Sequence, residues 1–181
     1  MRTRVVLLAL LVVFVGIQFG AGLYEKLAIV PLWAEAPPGD AFEANAESGF
    51  RTAGRVFWPF VSPVVAVLAV ANVVAGSKHR GSGRRWWLAG ALLMVAYAAF
   101  SYGYFVPQML VFQSDGASWD AARIETFVHE WTSRNYLRML IGAGGWGSAV
   151  IALAMIDIRR LDRRPQPVAR ERRSRNRPVQ R

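Results

Sequence analysis

VVLLALLVVFVGIQFGAGLYEKLAIV, residues 5–30, carries no charged side chain as far as Leu23. A helix needs roughly 20 apolar residues to cross about 30 Å of hydrocarbon, and this run supplies more than that. In lipid a helix pairs its own backbone groups, so the stretch predicts a spanning helix. Three further runs of similar length follow, at about 56–76, 86–106 and 137–156. The expected fold is all-α, a bundle of four transmembrane helices over residues 1–158.

Apolar types make up 54% of the 181 residues and charged types 19%, and almost none of the charges fall inside the four runs. That distribution excludes an ordinary soluble globule. There are no cysteines, which excludes disulfides, thiolate metal sites and cysteine nucleophiles. With His79 and His129 the only histidines, a histidine-rich metal site is not expected. There is no phosphate-binding glycine loop, no dinucleotide fingerprint and no HExxH pattern.

The net charge is +10, and the basic residues flank the apolar runs instead of forming a nucleic-acid face. Arg2 and Arg4 precede the first span. The connection Ser77–Arg85 holds Lys78, Arg80, Arg84 and Arg85 and no acid. The segment from Asp157 holds ten arginines against three acids. The longer connections, Pro31–Arg55 and Pro107–Tyr136, each hold four acids and two arginines. The positive-inside rule then puts both termini in the cytoplasm of a bacterial-type plasma membrane and the two longer loops outside. Residues 159–181, proline-containing and strongly basic, are expected to be a disordered tail that meets anionic headgroups, with no specific nucleic acid as partner. A secretory signal peptide is the rival reading of the N-terminus, with Gly20–Ala21–Gly22 as a small-residue cleavage site. The run continues far beyond a 7–15-residue signal core, which favours a retained span.

Two segments look alike. Tyr24–Pro31 closes the first span and Tyr102–Pro107 the third, both on Val-Pro, and an arginine opens the span that follows each: Arg55 and Arg138. This suggests two repeated helix pairs related by an axis along the membrane normal. The plainer account is that proline ends helices and arginine flanks spans; both stay open at this point.

Trp131, Asn135 and Arg138 stand at i, i+4 and i+7, on one helix face. An indole wall, an amide and a guanidinium fork together suit a planar oxygenated guest; an interfacial Trp/Arg belt is the alternative. Arg138 lies on the acidic side and therefore calls for a partner, Glu25 first, then Tyr24 or Tyr104. Glu25 and Lys26 interrupt the end of the first span. Glu25 fits either a proton acceptor or the locked half of a salt bridge to Arg138 or Arg55. His129 is a second candidate base, or an ordinary loop histidine. Pro59 is expected in the first turn of the second span, and Pro63 to kink it. Gly142, Gly144, Gly145 and Gly147 permit close helix approach.

Over residues 5–156 the chain resembles the anthrone oxygenase-like family of small four-helix membrane proteins. The matching features are Gly22-x-Tyr24, Val30–Pro31, Gly54–Arg55-x-Phe57-x-Pro59, Val106–Pro107 and Trp131-x-x-x-Asn135-x-x-Arg138. The resemblance implies oxidation of a hydrophobic aromatic substrate by molecular oxygen, with no cofactor. It also implies that Asn135 and Arg138 hold an enolate oxygen while Trp131 stacks on the ring. Our own assignment adds Glu25 or His129 as base, and Tyr24, Arg55 and Tyr104 to the substrate-binding set. The competing classes are a membrane scaffold, a lipid- or hydrophobe-binding protein, and a transporter, which would need a homodimer.

Overall fold

The structure, a computed structural model, describes residues 2–162, with side chains over 3–156. Among the described residues every regular element is helical. They are α1 (Arg2–Tyr24), α2 (Pro31–Ala34), α3 (Ala41–Glu47), α4 (Phe50–Ser77), α5 (Arg84–Phe100), α6 (Val106–Asp115) and α7 (Ala121–Asp162). Four stretches are long and apolar enough to cross a membrane: Thr3–Ala34, Phe50–Ser77, Arg84–Ser118 and Ala121–Ile156. The protein is an all-α four-helix bundle of the integral-membrane kind.

The long helices form a ring in chain order, α1 beside α4, α4 beside α5, α5 beside α7, and α7 beside α1. One end of the ring bears Arg4, Lys78, Arg84 and Arg85 and is called the basic end. The other bears the connections rich in Asp and Glu and is called the acidic end. Toward the basic end Leu8, Leu11, Val65, Ala69, Trp87, Ala91, Met94 and Ala152 form the core. Asn72 is fully buried there and fully bonded. Its Nδ2 donates to the Leu7 carbonyl at 3.0 Å and the Leu68 carbonyl at 2.8 Å, and its Oδ1 accepts from Trp87 Nε1 at 2.9 Å. One amide thus ties α1, α4 and α5, and no orphaned polar group remains to offset the gain. Where α5 meets α7 the backbones nearly touch. A Cβ on Gly90 would lie 2.9 Å from Ala149 N and 3.0 Å from Gly145 O.

The structure departs from the sequence reading at the acidic end, where helix and packed core replace the expected loops. Trp33, Phe50, Phe105, Phe112, Phe127 and Trp131 pack there as an aromatic core. The α7 helix begins at Ala121, well before 137. Its first turns carry Arg123, Glu125, Glu130 and Arg134, which lowers the mean hydropathy. Yet Ile124, Phe127, Trp131 and Asn135 are the buried stripe of an amphipathic helix. Similarly α4 starts at Phe50, so Pro59 lies inside the helix and not in its first turn, and the helix runs on through Pro63. At the other end α7 continues to Asp162, past the expected boundary at 158. The rest of the tail expected over 159–181 lies outside the described residues.

Candidate functional site

Two wide turns prepare the site. Proline has no N–H, and its ring crowds the carbonyl four residues back, so a helix meeting Pro31 or Pro107 has to accommodate it, as α4 does at Pro59 and Pro63 without leaving the α form. In both places the chain widens to a π-helix, Glu25–Ile29 and Ser101–Phe105. The Val30 N–H reaches back five residues to the Glu25 carbonyl, and the Val106 N–H reaches the Ser101 carbonyl. The shared Val-Pro sequences therefore carry a shared backbone device, of a kind often found at functional sites. Both wide turns aim their first residue inward: Glu25 and Ser101 are buried.

They meet at one cavity of about 480 Å³ in the acidic half of the bundle. Its buried walls include Gln18, Glu25, Phe50, Tyr97, Ser101, Phe105, Met109 and Trp131. Its exposed rim is two rails at i, i+4, i+8 spacing: Arg55, Pro59 and Pro63 on α4, and Tyr102, Val106 and Leu110 on the third spanning segment. The cavity thus opens sideways between the second and third spans. Arg55 and Arg138, the arginines that the sequence reading placed at the start of the second and fourth spans, both line it, although α4 and α7 begin earlier, at Phe50 and Ala121.

Adjacent charges on the first span are separated by the helix. Glu25 turns to α4, where its Oε1 accepts from Trp58 Nε1 at 3.1 Å. Lys26 turns to α7, donating to the Thr132 carbonyl at 3.3 Å and lying 4.3 Å from the Tyr136 ring centroid. Deeper in, Gln18 Nε2 donates to Ser62 Oγ at 3.2 Å. Gln18 Oε1, Ser101 Oγ and Trp131 Nε1 have no partner among the described residues.

Arg138 is half-buried. Its Nε donates to Asn135 Oδ1 at 3.0 Å, and its guanidinium lies 4.5 Å from the Phe105 centroid and 5.8 Å from that of Tyr97. The expected Glu25–Arg138 and Glu25–Arg55 salt bridges do not form. Among the described residues the one carboxylate within 4.0 Å of an arginine is Glu130, paired with Arg134. Glu25 is held by an indole instead, and Arg138 by an amide one turn back on its own helix and by π faces across the bundle. Asn135 is buried behind Arg138 and holds it.

Of the expected site residues, Glu25, Arg55, Trp131 and Arg138 come together at the cavity. Tyr24 is exposed and does not line the cavity. Tyr104 stacks on Phe100 and accepts a hydrogen bond from Arg134. His129 is exposed beside a separate hollow of about 270 Å³ with Glu125 and Thr132. Sequence reasoning missed Gln18, Arg51, Trp58, Ser62, Tyr97 and Ser101. Gln18 carried a signal, as the one hydrogen-bonding side chain between Val5 and Leu23. Arg51, Arg55, Trp58 and Ser62 share one face, which shows only once α4 is known to begin at Phe50.

Fold and site together define a four-helix membrane protein with a side-opening, aromatic-walled cavity holding one carboxylate and several guanidinium groups. Compared with family models, curated proteins and solved structures, the chain finds no match.

Proposed function

We propose that the protein binds a flat, hydrophobic, oxygen-bearing compound in this cavity and oxidises it with molecular oxygen. The carrying observation is that a carboxylate, Glu25, and a guanidinium, Arg138, line the same apolar space. A volume of about 480 Å³ suits a small-molecule site, which spans about 300–1,000 Å³. The substrate class and the use of oxygen come from the family resemblance of residues 5–156. The basic end faces the cytoplasm, and membrane lipids surround the bundle.

In this reading Glu25 takes a proton from the ring CH₂ that faces the carbonyl across the central ring and is conjugated with it through the flanking aromatic rings. Arg138, steadied by Asn135, holds the enolate oxygen, and Trp131 and Phe105 wall the ring. The carbanion bonds oxygen, and the peroxide so formed takes back the proton. Glu25 then removes the second proton from the same carbon while the O–O bond breaks, and the departing hydroxide leaves as water. A CH₂ group and O₂ thus become a C=O group and H₂O.

A binding role without chemistry is the second reading, favoured by the slot between the rails, which faces the surrounding lipid. The test is to incubate purified protein in lipid nanodiscs with an anthrone and follow oxygen uptake and quinone absorbance. Uptake above a protein-free control, lost in Arg138→Ala, is expected. No excess over the control overturns oxidation; saturable binding in the same sample would then leave the second reading.

A further inference from the structure

We propose that the rim of the cavity holds an anion-binding subsite built from Arg51 and Arg55. Its occupant is an amphiphile with an anionic oxygen group, such as a carboxylate or phosphate, at the acidic end of the slot and an apolar body inside. The proposal rests on the cavity binding a small molecule, not on oxidation.

The charges lining the cavity do not balance. Arg51, Arg55 and Arg138 stand against the single carboxylate of Glu25, which faces the Trp58 indole. Among the described residues none of these arginines has a carboxylate within 4.0 Å. Arg55 lies on the rim, its side chain without a hydrogen bond to another described residue. An exposed guanidinium with no protein acceptor keeps its fork of donors free for an anionic oxygen.

Arg51 is held in place. Its Nε donates to Asn45 Oδ1 at 3.2 Å and its Nη2 to the Phe42 carbonyl at 3.3 Å, while the guanidinium sits 4.5 Å over the Phe42 ring. The acceptors are neutral, so the charge stays uncompensated, and Nη1 is left to donate. Fixing the fork in advance lowers the entropy lost when an oxyanion docks. The backbone adds to the field. The α4 helix starts at Phe50, whose N–H donates to Ser48 Oγ at 3.3 Å, and its positive end lies one residue before Arg51. Arg51, Arg55, Trp58 and Ser62 then follow at i, i+4, i+7 and i+11 on one face. Polarity along that face runs from two cations through an indole to a hydroxyl, which sets one orientation for an amphiphile.

The experiment uses full-length protein in nanodiscs of zwitterionic phosphatidylcholine. Energy transfer from tryptophan reports binding of anthracene-2-carboxylate and of neutral 2-anthracenemethanol, which share a ring system. The carboxylate is expected to bind about tenfold tighter, as for a charge-assisted hydrogen bond. In Arg55→Gln that preference should fall below about threefold with the alcohol unaffected, and Arg51→Gln should lower it too. Arg85→Gln, at the basic end, should leave it intact. Repeating the titration in discs with anionic phosphatidylglycerol assigns the natural occupant. Loss of the preference by competition marks a lipid headgroup, and persistence marks a free amphiphile. Equal affinity of wild type for acid and alcohol, or a preference that survives the double substitution, overturns the subsite and leaves the cavity reading standing. Failure of both compounds to bind overturns both.

Discussion

The indole N–H of Trp58 donates to Glu25 Oε1 across 3.1 Å, joining the first and second spans where an ion pair to Arg138 or Arg55 would have been the simpler expectation. The carboxylate is thereby fixed in the wall of the cavity, with no arginine nitrogen among the described residues within 4.0 Å. A base held by a hydrogen bond stays free to accept a proton on its other oxygen, which a bidentate arginine clamp would occupy.

Trp58→Phe removes that donor and leaves Glu25 without its partner. We expect a loss of about 1–3 kcal/mol in unfolding free energy in detergent. In a Glu25→Ala background the same substitution should cost less, giving a coupling of about 1 kcal/mol between the two sites. Additive effects would show that the bond contributes nothing.

Much of this architecture is legible in composition, and the remainder is not, for reasons the residues make plain. Four apolar runs suffice for the bundle, because crossing hydrocarbon is a matter of length and polarity. The acidic end misleads because charge and burial separate by face. In residues 121–136 the hydropathy average falls, while Ile124, Phe127 and Trp131 still seal a core. The spacing of Trp131, Asn135 and Arg138 suggested one shared face; in the structure Trp131 and Arg138 line the cavity while Asn135 lies outside its wall and holds Arg138. Spacing along one helix could not reveal Trp58 as the partner of Glu25, because that contact depends on how two helices are rotated against each other. The Val-Pro likeness was visible, but its meaning, a π-turn at each site, depends on how a helix accommodates proline.

Asn135 is not itself in the cavity wall, and it should act through Arg138. Asn135→Ala should weaken ligand binding about three- to tenfold by releasing the guanidinium from its fixed position. Asn135→Asp, which keeps the acceptor, should retain most of the affinity. Equal losses in the two variants would count against this positioning role.

Gly90 is where α5 and α7 come closest. Gly90→Val should force those backbones apart and lower stability by about 1–3 kcal/mol, read as a lower thermal midpoint in detergent. Gly147→Ala, where a Cβ meets nothing within 4 Å, should be nearly neutral. A tolerant Gly90 would mean that this contact is looser than the structure shows.

The absence of cysteine makes sidedness directly measurable. Ser114 and Ser82 are exposed at the acidic and basic ends respectively. In intact cells a membrane-impermeant maleimide should label Ser114→Cys, and Ser82→Cys only after permeabilisation, as the positive-inside rule requires. The reverse pattern would invert the bundle and place the cavity in the other leaflet.

The two candidate bases can be told apart by kinetics. Glu25 lines the cavity with Arg138, whereas His129 is exposed beside a different hollow. If proton abstraction limits anthrone oxidation, Glu25→Gln should lower kcat by about 10²–10⁴ with little change in KM, because the amide keeps the shape of the side chain and loses its basicity. Arg138→Ala should lower kcat by about 10²–10³, the usual effect of losing one donor to a developing oxyanion. His129→Ala should match wild type. Spontaneous oxidation of the substrate sets the floor, so every rate is taken as the excess over protein-free discs. Should His129→Ala abolish turnover while Glu25→Gln preserves it, the base is His129, and the chemistry belongs to the smaller hollow, not the larger cavity. Should all three variants match wild type, with the oxidation itself intact, the proton leaves by another route, and the carboxylate beside Trp58 serves only to bind the two helices.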